Sequence, residues 1–403
     1  MVVNADKGEE EIYSFSYWTT MFVMIISSFL GITAYMIYQK ISHNAYFAGI
    51  IGTVIGFLLL FGLINLRKYM GDKDIFEYNI FLFGNIFGNI VNIFLVCVVF
   101  FIATIFFETI AQFVNSNYLI ETSVNYIKVL LLSPIAFAAS KKISTISKIS
   151  QGIFIATLFF FSISYIGIFG QFDIKRIFPV MSCGIDEALK CGIIYACTGL
   201  FSMFLLTCIP NSKIHSDNKN VLKMVLVYLF ANIIIVLIML AVVLILGEEL
   251  ILIYKFPEYL TLQEFSIFSI IERVENILAL QFILFNFLTL TIMVYFIYNY
   301  IKKIIKGLSS NLSKRVLNKN YLEISITIGI CLVIWIFTNC FYKSSLFLTQ
   351  IIKNYYIYIT LGGVILPMFI ILFFGILKNM KNKKQNIANW CEWLYFYVQP
   401  YVF

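Results

Sequence analysis

Charge is scarce in this sequence. Asp, Glu, Lys and Arg make up 12% of the 403 residues, against 61% hydrophobic residues and a mean hydropathy of +0.91. That balance excludes a soluble domain. Histidine is rarer still: the chain has only His43 and His215. They fall in short connections at opposite ends of the apolar runs described below, so they cannot share a metal or join one Ser/His/Asp site. No Gly-rich phosphate loop occurs, which excludes an ATP-driven pump on this chain. Among the 8 cysteines there is no C-x-x-C pair. Cys183 and Cys191 share one connection and are read as apolar thiols in preference to a bridge. No cofactor is implied, and no Pro/Ser-rich linker or large extramembrane block divides the chain. The opening residues MVVNADKGEEEIYSF are acidic and lack the basic start and cleavage site of a signal peptide, so the first apolar run is expected to be retained.

What the chain does have is apolar runs. They lie at roughly residues 16–38, 45–66, 84–113, 119–139, 146–169, 189–209, 221–246, 272–300, 321–341 and 354–377. Each is long enough to cross a bilayer as a helix. The fourth holds Lys128 and Pro134, and the sixth is interrupted. The expected fold is an all-α integral membrane protein of about ten transmembrane helices, with residues 1–15 as an N-terminal segment, 16–377 as the membrane domain and 378–403 as a tail. Most of the 29 basic residues gather on alternate connections, around Arg67, Lys141, Lys213 and Lys302–Lys319, and in the tail. The positive-inside rule then makes both termini cytoplasmic. The net charge of +8 lies against anionic lipid, not nucleic acid. The 25 Tyr and 42 Phe suit lipid-facing surface and interfacial belts. The final NWCEWLYFYVQPYVF, with Trp390 and Trp393, reads as an interfacial segment.

Two stretches carry more specific information. From Leu246 to Phe285 the chain reads LGEELILIYKFPEYLTLQEFSIFSIIERVENILALQFILF, setting Glu248, Glu249, Glu258 and Glu264 ahead of a span that opens with Glu272, Arg273 and Glu275. Ionisable groups there are costly unless they pair, face protein or line a wet cavity. Upstream, FDIKRIFPVMSCGIDEALKCG (Phe172–Gly192) combines an acidic start, a Pro and a Gly-acidic step before the sixth span. With Gly247 ending the seventh span, Phe256-Pro257 following, and Ile271-Glu272-Arg273-Val274-Glu275 opening the eighth, the chain resembles the GerAB-like B subunits of spore germination receptors. These belong to the amino acid/polyamine/organocation transporter superfamily. The resemblance covers nearly the whole chain in span order and loop length. It implies a five-plus-five inverted repeat of the LeuT type, residues 16–169 mirrored by 189–377, with helices one and six discontinuous.

In that arrangement half-helix ends and unwound backbone meet a small zwitterion near mid-membrane. Small and hydroxylated residues stand in the matching places: Ser27, Ser28, Gly31 and Thr33 in the first span, and Tyr195, Cys197, Thr198 and Gly199 in the sixth. These are the candidate substrate-binding residues. The alternative is that Gly31 and Gly199 only allow close helix packing. Where many relatives have Gly-Glu in the sixth span, Gly199 is followed here by Leu200, so an acid that would meet a ligand amine is missing. Lys148, early in the fifth span, is a candidate for ion coupling by family analogy and otherwise an inside-positive flank residue. Glu272, Arg273 and Glu275 form either an electrostatic clasp on the eighth span or a gate for ligand entry. Glu108 and Lys128, near the outer ends of spans three and four, are read as snorkelling to the interface in preference to pairing.

The resemblance implies a non-enzymatic receptor subunit. It would bind a small nutrient, an amino acid, between helices one and six and signal to A-type and lipoprotein C-type subunits in the spore inner membrane or the cell membrane. A secondary amino acid or amine transporter coupled to H⁺ or Na⁺ is the alternative. A membrane glycan polymerase would need a large external loop with basic catalytic residues, which the sequence lacks.

Overall fold

The computed structural model describes residues 11–215, 220–263, 275–308, 320–342 and 344–380. Their regular structure is helical. The first span is broken: α1 (Ser14–Ser28) leads through an irregular turn, Phe29–Thr33, into α2 (Ala34–Ile41). After the turn Ser42–Asn44 the chain reverses into α3 (Ala45–Met70). Arg67 near the end of α3 donates to the Tyr17 hydroxyl near the start of α1, so the two passes run antiparallel. Then come α4 (Ile75–Asn117), α5 (Val124–Ala139), α6 (Ile143–Ile168) and α7 (Ile185–Leu205). The second half holds α8 (Asn220–Ile253), the short α9 (Pro257–Gln263), α10 (Glu275–Leu308) and α11 (Asn320–Phe341). The last pass is α12 (Ser345–Thr360), a turn at Leu361–Ile365 and α13 (366–380).

Among the described residues, eight helical stretches are long and apolar enough to cross a membrane, and one of them, Ser14–Met70, makes two passes. The shorter apolar helix α5, with Pro134 inside it, joins α4 to α6 along the chain. The protein is thus an all-α integral membrane protein, and the passes fall where the apolar runs do. Two long helices bend at glycines. Gly84 separates residues 75–83 from the third pass, and the first piece folds back on it: Asn79 donates to Asn92 Oδ1 (2.8 Å) and Asn92 donates to Phe76 O (3.1 Å). Gly247 (φ 71°) ends the seventh pass inside α8, where the sequence places its end.

With lipid as solvent, the passes cannot be held together by the hydrophobic effect, so close approach and internal hydrogen bonds carry the packing. Gly49, Gly52 and Gly56 on α3 form the tightest seam. A Cβ added at Gly52 would stand 2.6 Å from Tyr195 and 2.7 Å from Gly192 O on α7. Tyr195 donates to Asn232 on α8 (2.6 Å), and Tyr228 on α8 donates to Thr53 O on α3 (3.1 Å). Between α1 and α6, Ser150 lies 2.9 and 2.8 Å from the hydroxyls of Thr19 and Thr20, and Gln151 donates to Ser16 (2.5 Å).

Candidate functional site

The break in the first span is a backbone feature before it is a side-chain one. Leu30 is extended (ψ 132°) and Gly31 adopts φ 79°, ψ −33°, a region that costs a side-chain-bearing residue energy. The Thr33 hydroxyl donates to Ser28 O across the break (2.7 Å). A Cβ at Gly31 would stand 2.9 Å from Phe282 Cζ on α10 and 3.5 Å from Phe256. Gly31 therefore faces inward against two aromatic rings.

Those rings belong to an aromatic lid. Phe113, near the end of α4, packs against Phe282, Phe256 and Tyr259 with ring centroids 4.5, 5.0 and 5.5 Å away. Such contacts add to simple area burial. Tyr259 on α9 lies 3.1 Å from the Tyr118 hydroxyl, which in turn donates to Asn276 Oδ1 (3.0 Å). The segment from Phe256 through α9 is thereby tied to the ends of both α4 and α10.

Beneath the lid lies a cavity of about 110 Å³, walled by the helix-one break, α6, α8, α9 and α10. Its surface is almost wholly apolar. Thr157 and Thr261 donate to their own helices, at Ile153 O (2.7 Å) and Pro257 O (2.8 Å), and Gln281 donates to Ala156 O (3.1 Å). Two lining polar atoms have no hydrogen-bond partner: Ser164 Oγ and Glu258 Oε1. Among the described residues, no Lys, Arg or His lines it. Burial pushes the Glu258 carboxyl up to about 7.

Of the residues expected to bind ligand, only Gly31 reaches this cavity. Ser27 is buried with its hydroxyl unpartnered, and Ser28 donates to Ile25 O (2.7 Å). Tyr195 and Cys197 are buried, and the Tyr195 ring lies 5.8 Å from Phe29, so the first and sixth spans do touch. The sixth span, however, is not discontinuous as expected. α7 runs unbroken through Gly199 with a helical backbone throughout, and the Thr198 hydroxyl bonds back to Ile194 O and Tyr195 O within the helix (3.1 and 3.0 Å). A Cβ at Gly199 would meet nothing within 4 Å, so this glycine neither unwinds the helix nor seats a neighbour. Lys148 is exposed beside Glu11, Lys142 and His215 and is remote from the lining. Glu264, Glu272 and Arg273 lie outside the described residues, and Glu275 opens α10. Cys183 and Cys191 are free thiols.

The snorkelling expected of Glu108 and Lys128 is overturned. They pair at 2.7 Å, each about 5% exposed, because Asn339 on α11 and Gln112 on α4 enclose them: Lys128 donates to Asn339 Oδ1 (2.9 Å) and Gln112 to Glu108 Oε1 (3.1 Å). Lys255, just before α9, donates to Gln112 Oε1 (2.5 Å), which joins the lid segment to this network. Burial pushes the Lys255 ammonium down to about 8.

The end of the protein that carries the chain's start is closed differently. Arg67 is buried and donates to Leu206 O (3.5 Å), Ile209 O (3.2 Å) and Asn211 Oδ1 (3.0 Å). It satisfies orphan carbonyls past α7 and sets a cation at that helix's negative end. Nearby, a polar vestibule of about 330 Å³ is framed by Lys303 paired with Asp74 and Glu77, and by Lys302 paired with Glu323 (2.8 Å). Sequence reading took Arg67 and Lys302 only as inside-positive loop charges, and Glu258 as part of a charged connection. The one signal for Glu258 was its setting among Phe256, Pro257, Leu260 and Leu262, too apolar for a solvated loop.

A broken first span, a lidded cavity beside the break and a polar vestibule at the other end define a membrane protein of transporter-like helical architecture. The particular family follows from sequence comparison. The family model for spore germination proteins, the spore permease family, matches residues 17–341, and this chain belongs to that family. No curated protein matches the chain.

Proposed function

We propose that this protein is the membrane subunit of a spore germinant receptor that senses a small nutrient in the cavity beside the helix-one break and passes its occupancy to partner subunits. The observation that carries the reading is the Gly31 break facing a partly open cavity under the aromatic lid. A nutrient entering there would touch the lid and the break in the first span, and could bias a two-state arrangement of them. The site moves from the expected position between the first and sixth spans to the side of α6, α8 and α10, with Gly31 common to both. The partners would be the A-type and lipoprotein C-type subunits, and the nutrient an amino acid or related amine. The spore inner membrane is the proposed location. The clustering of Lys and Arg around the vestibule end supports a cytoplasmic placement of both termini.

A second reading, a secondary transporter, draws on the vestibule at the opposite end. A lidded cavity toward one end of the protein and a polar vestibule toward the other are the two openings that alternating access would use. The two readings separate in spores and in vesicles. Deletion of the gene is expected to remove dipicolinate release in response to one nutrient, with restoration by the wild-type gene but not by Gly31→Trp. An unchanged germination profile together with solute uptake by the purified protein in proteoliposomes would favour the transporter.

A further inference from the structure

The cavity has an asymmetric chemistry. Among the described residues its walls are apolar, no basic side chain lines it, and one carboxylate does. Glu258 as a whole is half-buried, yet its Oε1 is sealed from solvent and makes no hydrogen bond. A sealed, unpaired carboxylate oxygen costs free energy that a donor entering the cavity would recover. Ser164 Oγ, on the facing α6, is the other unpartnered lining atom. Tyr38 on α2, fully buried with its own hydroxyl unpartnered, lies within electrostatic reach of Glu258. Of the other polar lining groups, Thr157, Thr261 and Gln281 donate to protein carbonyls, and the Tyr259 hydroxyl lies 3.1 Å from that of Tyr118. A donor entering the cavity would therefore find the Glu258 oxygen free, and a positively charged donor would gain most from it.

Resting on the reading of this cavity as the ligand site, we propose that it takes a small aliphatic ammonium compound, with Glu258 of the lid helix meeting the ammonium group and the aromatic and aliphatic walls enclosing the hydrocarbon. The size agrees. An apolar cavity of roughly 150 Å³ holds one benzene-sized molecule, so about 110 Å³ suits a branched C3 or C4 group and excludes an indole or a long chain. Because α9 belongs to the lid, an ammonium seated on Glu258 would hold the lid down. Recognition of the ligand and closure over it would then be one event.

Calorimetry on the detergent-purified full chain tests this with isobutylamine, L-valine and isobutyrate as probes. Isobutylamine is expected to bind, and isobutyrate to bind more weakly by about tenfold or more, the worth of one hydrogen bond to a charged group. Glu258→Gln should weaken isobutylamine by a similar factor while its melting temperature stays near that of the wild type. L-Valine binding as tightly as isobutylamine identifies amino acids as the source of the ammonium, whereas weaker binding identifies simple amines. Either result upholds the proposal. Equal binding of isobutyrate, unchanged isobutylamine binding by Glu258→Gln, or no binding of any probe overturns it. Ile238→Trp, which fills the cavity from α8 without straining the backbone, separates the two levels of failure. If Ile238→Trp abolishes binding and Glu258→Gln does not, only the role of Glu258 falls. If isobutylamine binds Ile238→Trp as it binds the wild type, the cavity is not the site, and the reading beneath the proposal falls with it.

Discussion

The Glu108–Lys128 pair shows how a residue's role depends on what encloses it. Both residues were visible in the sequence as charges at span ends, where a few ångströms of depth decide between snorkelling and pairing. The deciding groups, Asn339 and Gln112, come from α11 and from one turn along α4. Glu108→Gln would leave a buried ammonium without its counter-charge, so it is expected to cost about 3–5 kcal/mol. Joint replacement by Glu108→Gln and Lys128→Met should recover most of that loss, as read by thermal melting in detergent. A second residue-scale prediction concerns pH. The Glu258 carboxyl, raised from 4.5 to about 7, favours the seated lid while it is protonated. That stability is fully present below the ordinary carboxylate value and is lost as pH rises through about 7. Lys255, lowered to about 8, titrates mainly above this window. Ligand-free protein should therefore show faster intrinsic-rate-corrected hydrogen exchange over 257–263 at pH 7.5 than at pH 5. Glu258→Gln should remove the difference.

Among the elements, helix existence and order were legible because a span needs a long apolar run and lipid leaves the backbone few other choices. The break at Gly31 and the end of the seventh pass at Gly247 were also legible, since each falls at a glycine with positive φ. The sixth span shows where that logic stops. Gly199 sits among small and hydroxylated residues as Gly31 does, but a glycine permits a break without requiring one, and α7 meets its hydrogen bonds internally. The seam of Gly49, Gly52 and Gly56 is where small residues seat a neighbour. Opposite outcomes follow for two alanine substitutions. Gly31→Ala meets both an unfavourable φ and the Phe282 ring and should cost about 1–3 kcal/mol. Gly199→Ala enters open space on a regular helix and should be neutral or stabilising by up to about 1 kcal/mol. Melting temperatures of the two purified variants check both.

For the molecule as a whole, two ends are closed by different chemistry: an aromatic lid tied to Lys255 and the Glu108 network at one, Arg67 and the ion-paired vestibule at the other. The sequence made the two ends visible through the alternation of basic connections. The cavity itself was not legible, because its walls come from α6, α8, α9 and α10, brought together only by packing. On the proposed cytoplasmic placement of both termini, green fluorescent protein fused after Phe403 should fluoresce and a periplasm-type phosphatase reporter there should stay inactive. The central claim is that nutrient occupancy of the cavity beside Gly31 drives the germination response. Its most direct test is dipicolinate release from spores carrying Ile238→Trp, measured across a nutrient panel at matched receptor levels. The account predicts loss of the response that the wild-type gene supports. A full response at wild-type protein levels would contradict it.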